Sequence, residues 1–136
     1  MDRVILFRGK DTRNGQWIYG DLHESEYFTK AHIHPTGERI KSFDVIPETV
    51  GQYTGIKDKN GKEIYEGDIV DVKYTQISPR TKIKIPFHNT CTVKWLEKSA
   101  CFGYIADGSN VFNDFRYKAS EGFTYEVIGN IHESEE

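Results

Sequence analysis

Chemistry in a protein needs donors that converge, and a few short stretches of this 136-residue chain carry the right residue types. His32 and His34 stand two apart, so on a β-strand both imidazoles leave one face, which is how a strand offers two nitrogen ligands to one metal ion. A site would need a further ligand, for which His23 and Glu24 are the nearest residues of suitable type. No helical or loop spacing completes a ligand set, and exposed strand histidines explain the pair without an ion. His88-Asn89-Thr90-Cys91 brings an imidazole near a thiol. Nothing beside it supplies the third group that would orient a base, so Cys91 reads as a small buried apolar residue.

Asp58-Lys59-Asn60-Gly61 opens like a calcium loop, with oxygen donors at its first and third places. The template then fails, because Lys62 and Glu63 stand where another Asp or Asn and an obligatory Gly belong. Glu63, Glu66, Asp68 and Asp71 suggest paired carboxylates for hydrolysis, yet Asp68 and Asp71 fall on opposite faces of a strand. Gly51, Gly55, Gly61 and Gly67 are spaced as turn residues and none leads into a helix, so no phosphate loop is present. The expectation is therefore a protein that is not an enzyme, with no catalytic residue, cofactor or metal.

One cationic cluster remains. Thr81 to Ile85 alternates polar with apolar between Pro79 and Pro86 and reads as an extended arm or edge strand. Arg80, Lys82 and Lys84 would leave one side of it, Ile83 and Ile85 the other, with Phe87 and His88 close by. Three uses fit: packing on a second copy of the chain, guarding an edge strand with charge, or lying along a phosphate backbone with Phe87 or Tyr74 stacked on a base. Self-association is favoured, and Arg80, Lys82, Ile83, Lys84, Ile85 and Phe87 are the candidate interaction residues.

The elements that must position these residues are strands. Val50 to Lys57 and Lys62 to Tyr74 flank Asp58-Lys59-Asn60-Gly61, and Asn-Gly between such runs is a strong hairpin signal. Gly61 accepts positive φ without a Cβ clash and the Asp58 carboxylate can cap the turn. Val70, Val72 and Tyr74 share one face and Asp71 and Lys73 the other, the pattern of a half-buried strand.

Towards the N-terminus, Arg3 to Arg8 and Gln16 to Leu22 form strands around a turn ending in Asn14-Gly15, the second strand broken by Gly20. Tyr27 to His34 and Arg39 to Ile46 pair across Pro35-Thr36-Gly37-Glu38, and Pro47-Glu48-Thr49 accommodates a short helical turn. Beyond the arm, Cys91 to Leu96 pairs with Ala100 to Ile105, with Cys91, Val93 and Trp95 on one face. Val111 to Lys118 is irregular with one helical turn, and Phe123 to His132 is the last strand before an acidic terminus.

The central hairpin also carries a resemblance. Pro47 to Gly55 (PETVGQYTG) running into Asp58 to Val70 (DKNGKEIYEGDIV) resembles the signature of the YopX family of phage and prophage proteins. Phe7-Arg8-Gly9-Lys10, Trp17-Ile18-Tyr19-Gly20-Asp21-Leu22 and Tyr125-Glu126-Val127-Ile128-Gly129-Asn130-Ile131 match it as well, so nearly the whole chain is covered except residues 75 to 90. There this chain departs from the family's shorter, variable link. The resemblance implies a mainly β protein whose central and C-terminal part is similar to a small SH3-like barrel, with an N-terminal β-hairpin extension. It brings no established activity and no catalytic residues. Residues 1–47 are expected to pack, as a β-rich section, on a barrel of residues 48–133 that bears the 75–90 arm.

Composition narrows the partners. Hydrophobic residues make up 37% and aromatics 13%, so Phe, Tyr and Trp must supply much of the core. A net charge of −3 gives no overall pull toward nucleic acid or an anionic membrane. Its distribution is uneven: residues 57–98 hold nine Lys and Arg against six acids, residues 99–136 two against seven. A basic middle beside an acidic end suits packing between subunits. Met1-Asp2-Arg3 followed by four apolar residues is no secretory signal, and no apolar run approaches the roughly 18 residues of a membrane span. Cys91 and Cys101 are expected to be reduced, buried thiols in the cytoplasm of a bacterial host. The sequence thus reads as a phage or prophage accessory protein that self-associates, the alternative being a nucleic-acid-binding module built on the 80–88 arm. A host or phage protein partner is not identified by any of these residues.

Overall fold

Eleven strands and one 3-10 turn build the described chain, which in this computed structural model comprises residues 4–24, 31–35, 42–108, 112–115 and 121–133. Among the described residues there is no α-helix, and no helix long and apolar enough to cross a membrane. The protein is mainly β, and its two compact units are Met1–Gly55 and Ile56–Glu136.

β1 (Phe7–Lys10), β2 (Trp17–Glu24), β3 (Ala31–Pro35), β4 (Phe43–Val45), β5 (Gly51–Lys57) and β6 (Glu63–Tyr65) form a six-stranded sheet in the order β4-β3-β2-β1-β5-β6. The turn between β1 and β2 is built on Asp11, which is buried. Its carboxylate accepts the Arg13 backbone N–H at 2.9 Å and is gripped by the Arg13 guanidinium at 3.1 and 3.2 Å. These bonds, the side-chain one foremost, hold its carboxyl below the usual carboxylate range. Ala31, Ile33 and Val45 make a small core, flanked by Ile18, Leu22 and Val50.

β4 is held on both sides. It pairs with β3, and an antiparallel bridge between Asp11 and Val45 ties it back to the end of β1. Ile46 N–H donates to Lys10 C=O at 2.8 Å and Thr12 N–H to Asp44 C=O at 3.0 Å. The expected helical turn at Pro47–Thr49 is present as 3-10. Its Thr49 hydroxyl donates to Ile46 C=O at 2.6 Å and accepts from Lys10 N–H at 2.9 Å.

Two expectations change here. The first strand begins at Phe7 rather than Arg3, leaving Val4 and Ile5 exposed. Gly20 does not break β2: it faces Pro35 in register, and a Cβ there would meet His34 C=O at 1.9 Å, so the residue permits close approach of two strands.

The second unit continues from β5 through β6 (Glu63–Tyr65) into β7 (Asp68–Ile77), β8 (Lys84–Leu96), β9 (Cys101–Ala106), β10 (Phe112–Asp114) and β11 (Glu121–Asn130). The last five form an antiparallel sheet in the order β10-β9-β8-β7-β11. Gly61 and Gly67 take φ of +83° and +91°, as the two expected bends require. Ile64, Val70, Val72, Cys91, Val93, Tyr104, Phe115 and Tyr125 form the core, and rings of Tyr104, Phe115 and Tyr125 meet at 5.0–5.7 Å between centroids.

Neither sheet closes into a barrel among the described residues, in contrast to the SH3-like barrel expected. The physical reason lies in residues 75–90, where β7 and β8 run on as one long hairpin paired through Ile77 and Lys84. Sheet length goes into that extension rather than into closure. Strand β8 therefore begins at Lys84, not Cys91, and Trp95 stays exposed beside buried Cys91 and Val93, packing edge-on against Phe102. Phe112–Asp114 is a strand where a helical turn was expected, and residues 111 and 116–118 of that stretch lie outside the described residues. So do the expected turn over Thr36 to Glu38, the first part of the strand expected from Tyr27 and that of its partner from Arg39, and residues 134–136 of the acidic terminus.

Candidate interaction surface

The 75–90 arm is the end of the β7–β8 hairpin. Ser78-Pro79 opens its turn: Ser78 C=O accepts the Lys82 N–H at 2.9 Å and Ser78 N–H donates to Ile83 C=O at 3.0 Å. Lys82 takes a left-handed backbone, φ 60°, to complete the reversal. Every residue from Pro79 to Thr90 is exposed.

Register separates the two faces. Tyr74 faces Phe87 and Gln76 faces Ile85, on the side that continues from buried Val72 and Cys91. Lys73 faces His88, Thr75 faces Pro86 and Ile77 faces Lys84 on the other side. On the first face Phe87, Tyr74 and Phe123 stack nearly parallel, with centroids 5.4 and 5.0 Å apart. Ile85 and Phe87 there are 47% and 38% exposed, and Ile83 at the turn is 57% exposed. An aromatic and aliphatic stripe thus leaves the core and runs out along the hairpin into solvent.

The cations do not line up as the sequence suggested. Arg80 and Lys82 belong to the turn, so only Lys84 occupies a strand position, on the face away from Phe87. That second face is mixed in sign: Asp71 lies 3.7 Å from Lys73 Nζ and 3.5 Å from His88 Nδ1.

The free edge of β8 has its own character. Thr90 C=O points outward and accepts Asp107 N–H at 3.0 Å, whereas Ile83 C=O points inward to Ser78. Alternation then turns the main-chain groups of Lys84, Pro86 and His88 outward. No described strand pairs with that edge, and Pro86 has no N–H to offer one. The edge is guarded while the face is open.

The motifs of the central hairpin and of the terminal strand are now all placed on strands and turns. A family model described as YopX protein matches residues 6–136. The chain belongs to the YopX family. No curated protein matches it.

The remaining candidate groups of this YopX chain resolve by geometry. Asp58 is buried and wholly engaged: Oδ1 accepts the N–H groups of Asn60 and Lys62 at 2.8 and 2.9 Å, Oδ2 that of Val127 at 3.0 Å. Burial alone would raise its pKa, but those three N–H donors and the Lys62 charge outweigh it and hold the carboxyl below its ordinary value. Asp68 is buried and accepts Tyr65 N–H at 2.7 Å, while Asp71 lies on the opposite face.

His88 and Cys91 also leave opposite faces of β8, so the imidazole is not aimed at the thiol. Burial, with smaller contributions from Asp107 and Asp71, pushes the Cys91 thiol up to about 11. Neither Cys91 nor Cys101 is in a disulfide, and Cys101 is half-buried rather than buried. His32 and His34 do share a face of β3, and of the two further ligands offered by the sequence it is His23, not Glu24, that stands directly opposite His32 on β2. The signal for that pairing was weak, because it depends on a register whose connecting loop has no tight-turn dipeptide. For the arm a signal existed in Ser78-Pro79, a turn initiator.

Proposed function

We propose that this YopX protein is a non-enzymatic accessory protein of a phage or prophage that works by assembling with copies of itself, through the aromatic face of the β7–β8 hairpin. The observation that carries the reading is the stripe of Ile83, Ile85 and Phe87, a continuation of the core onto an exposed hairpin. Exposed contiguous apolar surface of this kind is costly unless something covers it. A second copy fits as the occupant, since a two-fold axis near Phe87 sets the stripe against itself, the isologous contact of most homodimers. The basic hairpin turn of Arg80 and Lys82 and the acid-rich residues 99–136 also offer a second copy charge of opposite sign. Pro86 argues for this face-to-face mode over edge-to-edge strand addition.

Light scattering over a range from a few to some hundred micromolar tests it. A mass of two chains or more at tens of micromolar is expected, and a strict monomer there contradicts the proposal. Residence in the host cytoplasm is part of the same reading.

A second reading, binding of single-stranded nucleic acid, has one observation in its favour: the Phe87–Tyr74–Phe123 stack ends on a half-exposed ring able to continue onto a base. Against it, Lys84, Lys73 and His88 lie on the other face from those rings. A gel shift at low salt with oligothymidylate separates the two. Binding that falls steeply with salt and is lost on replacing Arg80, Lys82 and Lys84 by Ala supports this reading. No shift ends it.

A further inference from the structure

Three of the five histidines of the chain share one face of the first sheet. His32 and His34 project from β3, and His23 of β2 is the antiparallel partner of His32. An i, i+2 pair on one strand with a third residue across from it is a spacing that lets a sheet aim three side chains at a common point. The rings of His23 and His34 are already 6.2 Å apart between centroids. Two imidazoles on one tetrahedral ion, with nitrogens about 2.0–2.1 Å from it, have centroids about 5 Å apart, so this pair is close to that span.

A second observation concerns the orientation of His32. Its Nδ1 lies 2.6 Å from Asp44 Oδ1 on β4, the next strand of the sheet, where Asp44 is its register partner. Asp44 therefore stands where carboxylates stand behind metal-ligating histidines, although the His32 ring must turn to align its Nδ1–H with Oδ1. Asp21, opposite His34 on β2, is the other acid of the face. Among the cations, Arg13 acts on Asp44, and Arg8 and Lys10 of β1 lie on the same face of the sheet by register. As the side chains stand, no three His, Cys, Asp or Glu among the described residues are gathered around one point. Rotation about side-chain torsions, cheap at exposed His23, has to complete the set.

We propose that His23, His32 and His34 bind one divalent transition-metal ion of the zinc class, with Asp44 as the residue that positions His32. Three neutral imidazoles suit zinc, copper or nickel better than calcium or magnesium, which prefer oxygen. The fourth position is left to water. The proposal is independent of self-association, which uses the other unit.

The test is zinc titration of the untagged protein at pH 7.5, in competition with a chromophoric chelator. One ion per chain is expected. His23→Gln and His34→Gln each weaken binding at least 100-fold, and Asp44→Asn, which keeps all three ligands, weakens it about 10- to 100-fold. The double variant His88→Gln/His132→Gln binds as the parent does. Circular dichroism of each variant confirms that its fold is kept. No zinc uptake at 100-micromolar-order concentrations overturns the proposal, as does uptake that His23→Gln leaves unchanged or that His88→Gln/His132→Gln abolishes.

Discussion

Asp58 Oδ2 accepts the backbone N–H of Val127 at 3.0 Å, joining residues 69 positions apart in the chain. The same carboxylate caps its own turn through Asn60 and Lys62, so one side chain fixes the central hairpin and fastens it to the last strand. Around it Lys59 N–H donates to Tyr125 C=O at 2.9 Å, and Lys59 Nζ lies 3.8 Å from Glu126. This is a long-range closure made by a residue that a turn signal alone places.

Removing that carboxylate is expected to be expensive. Asp58→Ala leaves the N–H groups of Asn60, Lys62 and half-buried Val127 without their acceptor and lowers stability by about 2–3 kcal/mol, measured by urea denaturation at pH 7. The pH dependence follows from the direction of its shift. With a folded pKa below the ordinary 3.8, Asp58 stabilises the fold above the unfolded value, and the contribution is lost as pH falls through the folded one. The gap between wild type and Asp58→Asn therefore narrows below pH 4, and a gap that widens there is incompatible with this account.

Gly20 allows β2 and β3 to approach where a Cβ would sit 1.9 Å from His34 C=O. Gly20→Ala must push the strands apart, at a cost of about 2 kcal/mol or more. Thermal melts compare it with Gly108→Ala, which has open space around it but a φ of +75°, so its smaller loss is one of backbone strain alone. Equal losses in the two variants would refute the close-approach role.

The two thiols differ in access. Cys91 is buried in the core with its pKa raised to about 11, whereas Cys101 is half-buried at the far end of the β8–β9 ladder. Ellman's reagent at pH 8 is expected to titrate one thiol promptly, identified as Cys101 by its loss in Cys101→Ser. The second reacts only on unfolding. Prompt reaction of both would place Cys91 outside the core.

Lys82 holds a left-handed conformation with φ 60°, which a β-carbon opposes by about 1 kcal/mol. Lys82→Gly relieves that strain and raises the stability of the second unit by a few tenths to 1 kcal/mol, read from the denaturation midpoint. A destabilised Lys82→Gly would mean that the lysine side chain contributes more than its backbone costs.

Much of this was legible from residues. Asn60-Gly61 with Asp58 before it specified the central turn, and the period of Val70, Val72 and Tyr74 specified the buried face of β7, because both signals are local. The hairpin end escaped because its left-handed position is filled by Lys82 instead of Gly, so the turn lacked its usual mark and Thr81 to Ile85 read as one extended run. The open sheets escaped for a different reason: closure depends on how strands pair at long range, and β7 and β8 lengthen into a hairpin that alternation alone cannot distinguish from the wall of a barrel. For the same reason His32 and His34 were visible as a pair, while the choice between His23 and Glu24 across the sheet needed the strand register.

The account rests most on the exposed stripe of the β7–β8 hairpin, and sedimentation equilibrium of the wild type beside Ile85→Asp/Phe87→Asp tests it directly. Ile85 is exposed and Phe87 gives up only its stack on Tyr74, so the double variant is expected to stay folded, losing about 0.5–1.5 kcal/mol in urea denaturation. Its dissociation constant should rise at least 100-fold, leaving a monomer at concentrations where the wild type sediments at twice the chain mass. A wild type and a variant that sediment alike, both as monomers or both as dimers, would contradict it.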